Sequence, residues 1–174
     1  MSIFTEQATA DDTTTTGATP SAAFRELYRL DGGFTDIKPI GVVADGFRMN
    51  GHFGGSIVSG ELAGATLEGV DYFRIRNDGV GVVTAHELVT LHGKTVAVEV
   101  HGLVIAADPA NAPQPADIVK PGFSWPTAPY TIQASAEFIT TVPEWEHLNR
   151  LVVAHTGSVD FVAGEIKVMA YRLD

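Results

Sequence analysis

From residue 31 onward the chain repeats one pattern: a short run of alternating apolar and polar residues, then a turn built on glycine. Over 70–76, Tyr72, Arg74 and Arg76 fall on one face and Asp71, Phe73 and Ile75 on the other. That period of two marks a half-buried strand. Asn77-Asp78-Gly79 is a hairpin turn signal. Residues 81–91 read as the return strand, His92-Gly93-Lys94 as a second turn, and 95–105 as a third strand, which together predict a meander. The last stretch, 164–173, sets Ile166, Val168 and Ala170 against Lys167, Met169 and Tyr171. With 148–155 it predicts a closing hairpin, and 130–141 predicts a strand before it, joined by a corner or short helical turn at 143–147.

Upstream, 34–43 is apolar with polar interruptions, and Pro39 makes it an edge or a bent strand. Five glycines between 51 and 64 fit bulges and tight corners. Residues 24–30 suit a first strand with Phe24, Glu26, Tyr28 and Leu30 on one face, although 22–28 also has helical spacing. Residues 1–22 hold almost no large apolar side chain and predict a flexible tail before one domain over 23–174. Short strands separated by turn signals mean a sandwich or a barrel. The glycine-rich corners favour an all-β, antiparallel, closed or nearly closed barrel with a central cavity.

One segment breaks the rhythm. Residues 108–129 contain six of the nine prolines and no periodicity. A segment of this kind inside a compact domain is either a binding lid or an inert excursion.

Composition narrows the function. The chain has 174 residues and no cysteine, which rules out disulfides and thiolate metal sites. With 11 Lys and Arg against 21 Asp and Glu, the formal charge is -10. Such a surface repels phosphate backbones, so no nucleic-acid partner is expected. No apolar run is long enough to span a membrane, and the N-terminus has no signal-peptide pattern. A cytoplasmic location is expected.

Candidate chemistry lies in polar residues within strands. His86 shares a face with Val82, Thr84 and Leu88; Glu99 and His101 share one with Ala97 and Leu103. Opposed residues on neighbouring strands lie about 5 Å apart. With those faces inward, His86, Glu99 and His101 converge, joined by Asp71 and by Glu137. A carboxylate in an apolar barrel has a raised pKa, and an imidazolium beside it lowers it again, which suits proton transfer near neutral pH. Two histidines and a carboxylate resemble a facial triad, but the spacing of Glu99 and His101 is too ordinary to imply a metal, and none is expected. No nucleophile elbow, phosphate loop or zinc-binding helix motif is present, and no cofactor is expected.

The motifs Gly69-Val-Asp71-Tyr-Phe-Arg74-Ile-Arg76-Asn-Asp78-Gly79, Phe138-Ile-Thr-Thr141 and Trp145-Glu-His147-Leu148-Asn149-Arg150 resemble the bacterial family catalogued as domain of unknown function 3237. The resemblance covers roughly residues 24–174 and implies a small β-barrel with a central cavity. Where that family usually has an Arg, a Trp and a Glu, this chain has His86, His147 and Ile139. The resemblance therefore implies a different ligand or different chemistry.

The expectation is a cofactor-independent enzyme that isomerises, cyclises or hydrates and dehydrates a hydrophobic, aromatic or polyketide-like small molecule. Asp71, His86, Glu99, His101 and Glu137 are the candidate acid–base set. Arg76, Asn149 and Arg150 are candidate orienting groups, since a guanidinium fork holds an oxyanion well. Tyr72 and Phe73 are candidate wall residues, and Trp125 and Trp145 candidate caps. A non-catalytic binding barrel and a structural or oligomerising β domain are the alternatives, with a homodimer an allowed assembly.

Overall fold

The computed structural model describes residues 24–173. The flexible tail expected over 1–22 lies outside the described residues. Eight strands run in chain order: β1 Phe24–Val43, β2 Gly46–Gly60, β3 Thr66–Ile75, β4 Gly81–Leu91, β5 Lys94–Ala106, β6 Tyr130–Ile139, β7 Val153–Asp160 and β8 Glu165–Leu173. Each pairs antiparallel with the next, and β1 pairs with β8, closing the barrel. The architecture expected from the alternation and glycine corners is the one observed. No helix among the described residues is long and apolar enough to cross a membrane.

Alternation decides which side chains enter. Val83, Ala85, Glu87 and Val89 of β4, and Val96, Val98, Val100 and Val104 of β5, are inward. The residues between them face out. The core therefore fills with Val, Leu, Ile and Phe from all eight strands, the branched and aromatic set that packs well on a pleated surface.

β1 departs from strict alternation. Its register with β8 slips between Glu26 and Tyr28, and a bulge of this kind sends consecutive residues to one side. Leu27 and Tyr28 are both fully buried. Beyond Gly33, β1 pairs with β2 alone, and Pro39 sits in that singly paired half, where its missing N–H is tolerated.

The two barrel ends are closed differently. The β3–β4 turn, the β5–β6 connection and the β7–β8 turn share one end. The connection holds a 3-10 turn, Pro109–Asn111, and one short helix, α1, Pro115–Ile118. At the other end, a 3-10 segment, Pro143–Arg150, buries Trp145 and Leu148. The strand expected over 148–155 thus starts only at Val153.

Gly69 on β3 has a packing reason. A Cβ there would meet the His86 carbonyl oxygen at 2.8 Å, Phe53 Cζ at 2.8 Å and Glu87 Cγ at 3.2 Å. Gly69→Ala should therefore cost about 1–3 kcal/mol through overpacking. The check is a lower denaturant midpoint at an unchanged slope; no change in midpoint would mean the β3–β4 seam has slack.

Candidate functional site

Inside the barrel is a cavity of about 60 Å³. Its walls are apolar, from Leu30, Met49, Val83, Val100, Ile132 and Val168 among others, and three titratable residues line it: Asp71, Glu87 and His155. Asp71 pairs in register with Ala85, and Glu87 with Gly69. The two carboxyl-bearing residues are thus diagonal neighbours on adjacent strands, about 7–8 Å apart at the backbone and closer at their tips.

Burial sets their protonation. Loss of water pushes the Asp71 carboxyl up to about 7, although the Thr84 N–H, donated at 2.9 Å, favours its charged form. Burial pushes Glu87 up to about 8, and the negative charge of Asp71 adds to it. Asp71 ionises first, and its charge then holds the proton on Glu87. One oxygen of Glu87, Oε2, is buried without a hydrogen-bond partner.

His155 lines the cavity, and Tyr28 packs behind it. The Tyr28 hydroxyl and His155 Nε2 are 2.9 Å apart, with the rings edge to face. Burial lowers His155 to about 4, so the imidazole is neutral at physiological pH and shares one hydrogen bond with the phenol. Burial and the charge of Glu87 raise Tyr28 well above its ordinary value. Replacing Tyr28 with Phe leaves a buried ring nitrogen unpaired, and should cost about 1–3 kcal/mol. A Tyr28→Phe melting temperature equal to wild type would show that His155 finds another partner.

The mouth is aromatic. Phe161, in the β7–β8 turn, stacks on Trp125 at 4.4 Å and on Phe34 at 5.8 Å, and meets Tyr130 edge to face at 5.2 Å and Phe73 at 5.7 Å. Trp125 belongs to the proline-rich connection, which therefore covers the ring that plugs the barrel.

Of the residues singled out in the sequence, Asp71 and Phe73 line the cavity. His86, Glu99, His101 and Glu137 do not. The register expected for them holds, because His86 lies opposite Glu99 and Glu99 opposite Glu137. The whole row lies on the outer face, one residue out of phase with the inward Glu87. Tyr72 is on the same outer surface, edge to face with His86 at 5.8 Å. Arg76 is exposed and pairs with Asp78 in the turn. Asn149 braces the chain: its Oδ1 accepts from the Thr140 N–H at 2.9 Å and its Nδ2 donates to the Thr140 carbonyl at 2.8 Å. Arg150 is solvent-exposed beside Glu146, and Trp145 is buried in the segment at the end away from Phe161. None of these last three touches the cavity. Among the described residues no cluster of His, Asp and Glu could hold a metal.

Several solved structures share the barrel's fold. A protein of unknown function from Clostridium acetobutylicum matches with a TM-score of 0.70 at 18% identity, over 87% of this chain and 99% of that one. A β-barrel-like protein from Acinetobacter baumannii matches at 0.69 and 17%, over 89% and 98%. An enzyme from Penicillium herquei matches at 0.57 and 16%, over 88% and 95%. At these identities the likeness is one of fold. No family model matches the chain, and no curated protein matches it either.

Glu87, Tyr28 and His155 escaped the sequence reading. Glu87 had a signal: it is the only charged residue on the apolar face of 81–91, where Val83, Ala85 and Val89 accompany it.

Proposed function

We propose that the protein is a cofactor-independent acid–base catalyst acting inside its barrel on a small apolar molecule, by isomerisation, cyclisation or hydration–dehydration. The observation that carries this is the carboxyl pair in one apolar cavity, Asp71 at about 7 and Glu87 at about 8. Two carboxyls whose surroundings set them near neutrality can hold opposite roles at once. Asp71 as carboxylate takes a proton from a carbon next to an electron-withdrawing group. Glu87 as carboxylic acid gives a proton to the atom where charge develops. The substrate leaves with its double bond moved, and the pair recovers its state by exchanging one proton. His155 lines the same cavity, held by its hydrogen bond with Tyr28.

We also propose that the chain belongs with the family of domain of unknown function 3237; the Asp71-to-Gly79 hairpin and the barrel topology support this. The fungal enzyme of the same fold is consistent with a catalytic barrel but brings no reaction to this chain.

The second reading, a binding barrel without turnover, draws on the cavity size. About 60 Å³ is well below the roughly 300–1,000 Å³ of ordinary ligand sites. A larger guest therefore needs the Phe161 mouth to open. The two readings separate with 5-nitrobenzisoxazole, from which any desolvated carboxylate removes the ring proton as the nitrogen–oxygen bond breaks. Both wild type and a Phe161→Ala variant with an opened mouth should accelerate this elimination, increasingly as pH rises through about 7. The Asp71→Asn/Glu87→Gln double variant should not. Rates in all three indistinguishable between about pH 5 and 9 would remove catalysis by the pair and leave the binding barrel.

A further inference from the structure

We infer that the cavity takes a ligand carrying a protonated nitrogen on a small apolar body: an amine or an iminium ion. The inference takes the site from the acid–base reading but does not depend on turnover. To the cavity wall β3 contributes Asp71, β4 Glu87 and β7 His155, with Tyr28 behind His155 and Tyr130 beside Phe161 at the mouth. The inward residues of β2 and β5 in the core are apolar. On β8, Arg172 follows inward Ala170 but lies at the barrel's base beside Glu61, 3.6 Å away, and does not line the cavity. No Lys or Arg lines it at all.

The cavity therefore has two acids, a neutral imidazole and no permanent cation in its wall. An anionic ligand would find nothing to pair with, and removing it from water would be uncompensated. A neutral alcohol could use one oxygen of the pair but would leave its charge unbalanced. An ammonium group supplies up to three N–H donors and the missing positive charge together. Glu87 Oε2 is more than nine-tenths buried and unpartnered, and is placed to accept one of them. The second oxygen of Asp71 can accept another, since Oδ1 already takes the Thr84 N–H. Burying an ion pair repays its desolvation only when the remaining donors and acceptors are met, which this donor count allows. The way in is suited as well: the mouth is ringed by Phe34, Phe73, Phe161 and Trp125, whose faces attract cations. A chain of charge -10 draws cations toward it.

Three probes of one shape and different charge test this: isobutylamine, isobutanol and isobutyrate, titrated calorimetrically into the full chain. The amine should bind saturably and about tenfold or more tighter than the alcohol, because charge pairing strengthens in a dry site. Isobutyrate should not bind. Below about pH 7 amine binding should release protons from the pair, read from its dependence on buffer ionisation enthalpy. The Asp71→Asn/Glu87→Gln variant, expected to fold and melt higher, should lose the preference. The inference is overturned by alcohol binding as tight as amine, by isobutyrate binding, by amine binding unchanged in the double variant, or by no saturable amine binding. None of these outcomes bears on the elimination assay, so ligand class and catalysis fail separately.

Discussion

At about pH 9, Glu87→Gln should be more stable than the natural protein by on the order of 3–5 kcal/mol. The sign follows from the direction of the shift. Glu87 has its folded pKa raised from 4.5 to about 8. A raised group contributes stability that is complete below its unfolded pKa and is lost as pH climbs through the folded value. Above about 8 the folded chain must bury a second negative charge beside Asp71, while the unfolded chain carries it in water. Gln keeps the shape of the protonated acid and never ionises, so that cost disappears. Near pH 4 the two proteins should agree within about 1 kcal/mol. For a domain of this size the alkaline gap reads as roughly 6–20 °C in melting temperature. Asp71, raised from 3.8 to about 7, keeps a smaller decline in the variant. His155 works in the opposite direction: its folded pKa is lowered from 6.5 to about 4, so its contribution is whole above 6.5 and fades as pH falls toward 4. Stability should pass through a maximum in mildly acidic solution, with the imidazole limiting the acid side and the carboxyl pair the alkaline side. Equal melting temperatures for variant and wild type at pH 9 would show that Glu87 reaches water and that the dry acid pair does not exist.

The barrel was readable because its signals are local. The Asn77-Asp78-Gly79 turn and the alternation in 70–76 and 164–173 each fix a hairpin without knowledge of the rest. The site was half readable. Asp71 shares a face with Phe73 and Ile75, and an acid among apolar residues on one strand face is visible in sequence. For 81–91 the same rule pointed to Glu87, since Val83, Ala85 and Val89 make the more apolar face. The expectation built on His86 and its partner Glu99 turns the opposite face inward, and that single choice of phase carries His101 and Glu137 inward with it, whereas all four lie outside. Tyr28 shares a strand face with Leu30 in the sequence, and both are buried; what the sequence does not show is the slip in the β1–β8 register between Glu26 and Tyr28, which brings Leu27 inward beside it and is set by a strand more than a hundred residues away. His155 turns on a boundary: the expected strand starts at 148, whereas β7 starts at Val153, and alternation with Val153 and Val159 puts His155 inside.

The mouth gives the second large effect. Phe161→Ala should destabilise the protein by about 3–5 kcal/mol, as truncating a packed aromatic usually does. Phe161 has ring contacts with four neighbours, Phe34, Phe73, Trp125 and Tyr130, from four different parts of the chain. No other ring among the described residues has as many. Removing it leaves those four facing a void that opens into the cavity above Asp71. Trp125→Ala removes one of these contacts from outside and leaves the plug seated, so its cost should be smaller, about 1–2 kcal/mol. The order of the two effects is the test. It assigns the closure to the β7–β8 turn, held by Asp160 Oδ1 accepting from the N–H groups of Val162 and Ala163 at 2.8 and 2.9 Å, and makes the proline-rich connection a cover over it. Amine association with Phe161→Ala should also be faster than with wild type, because the ring no longer has to swing aside. A Trp125→Ala protein less stable than Phe161→Ala would reverse the assignment and make the connection itself the plug.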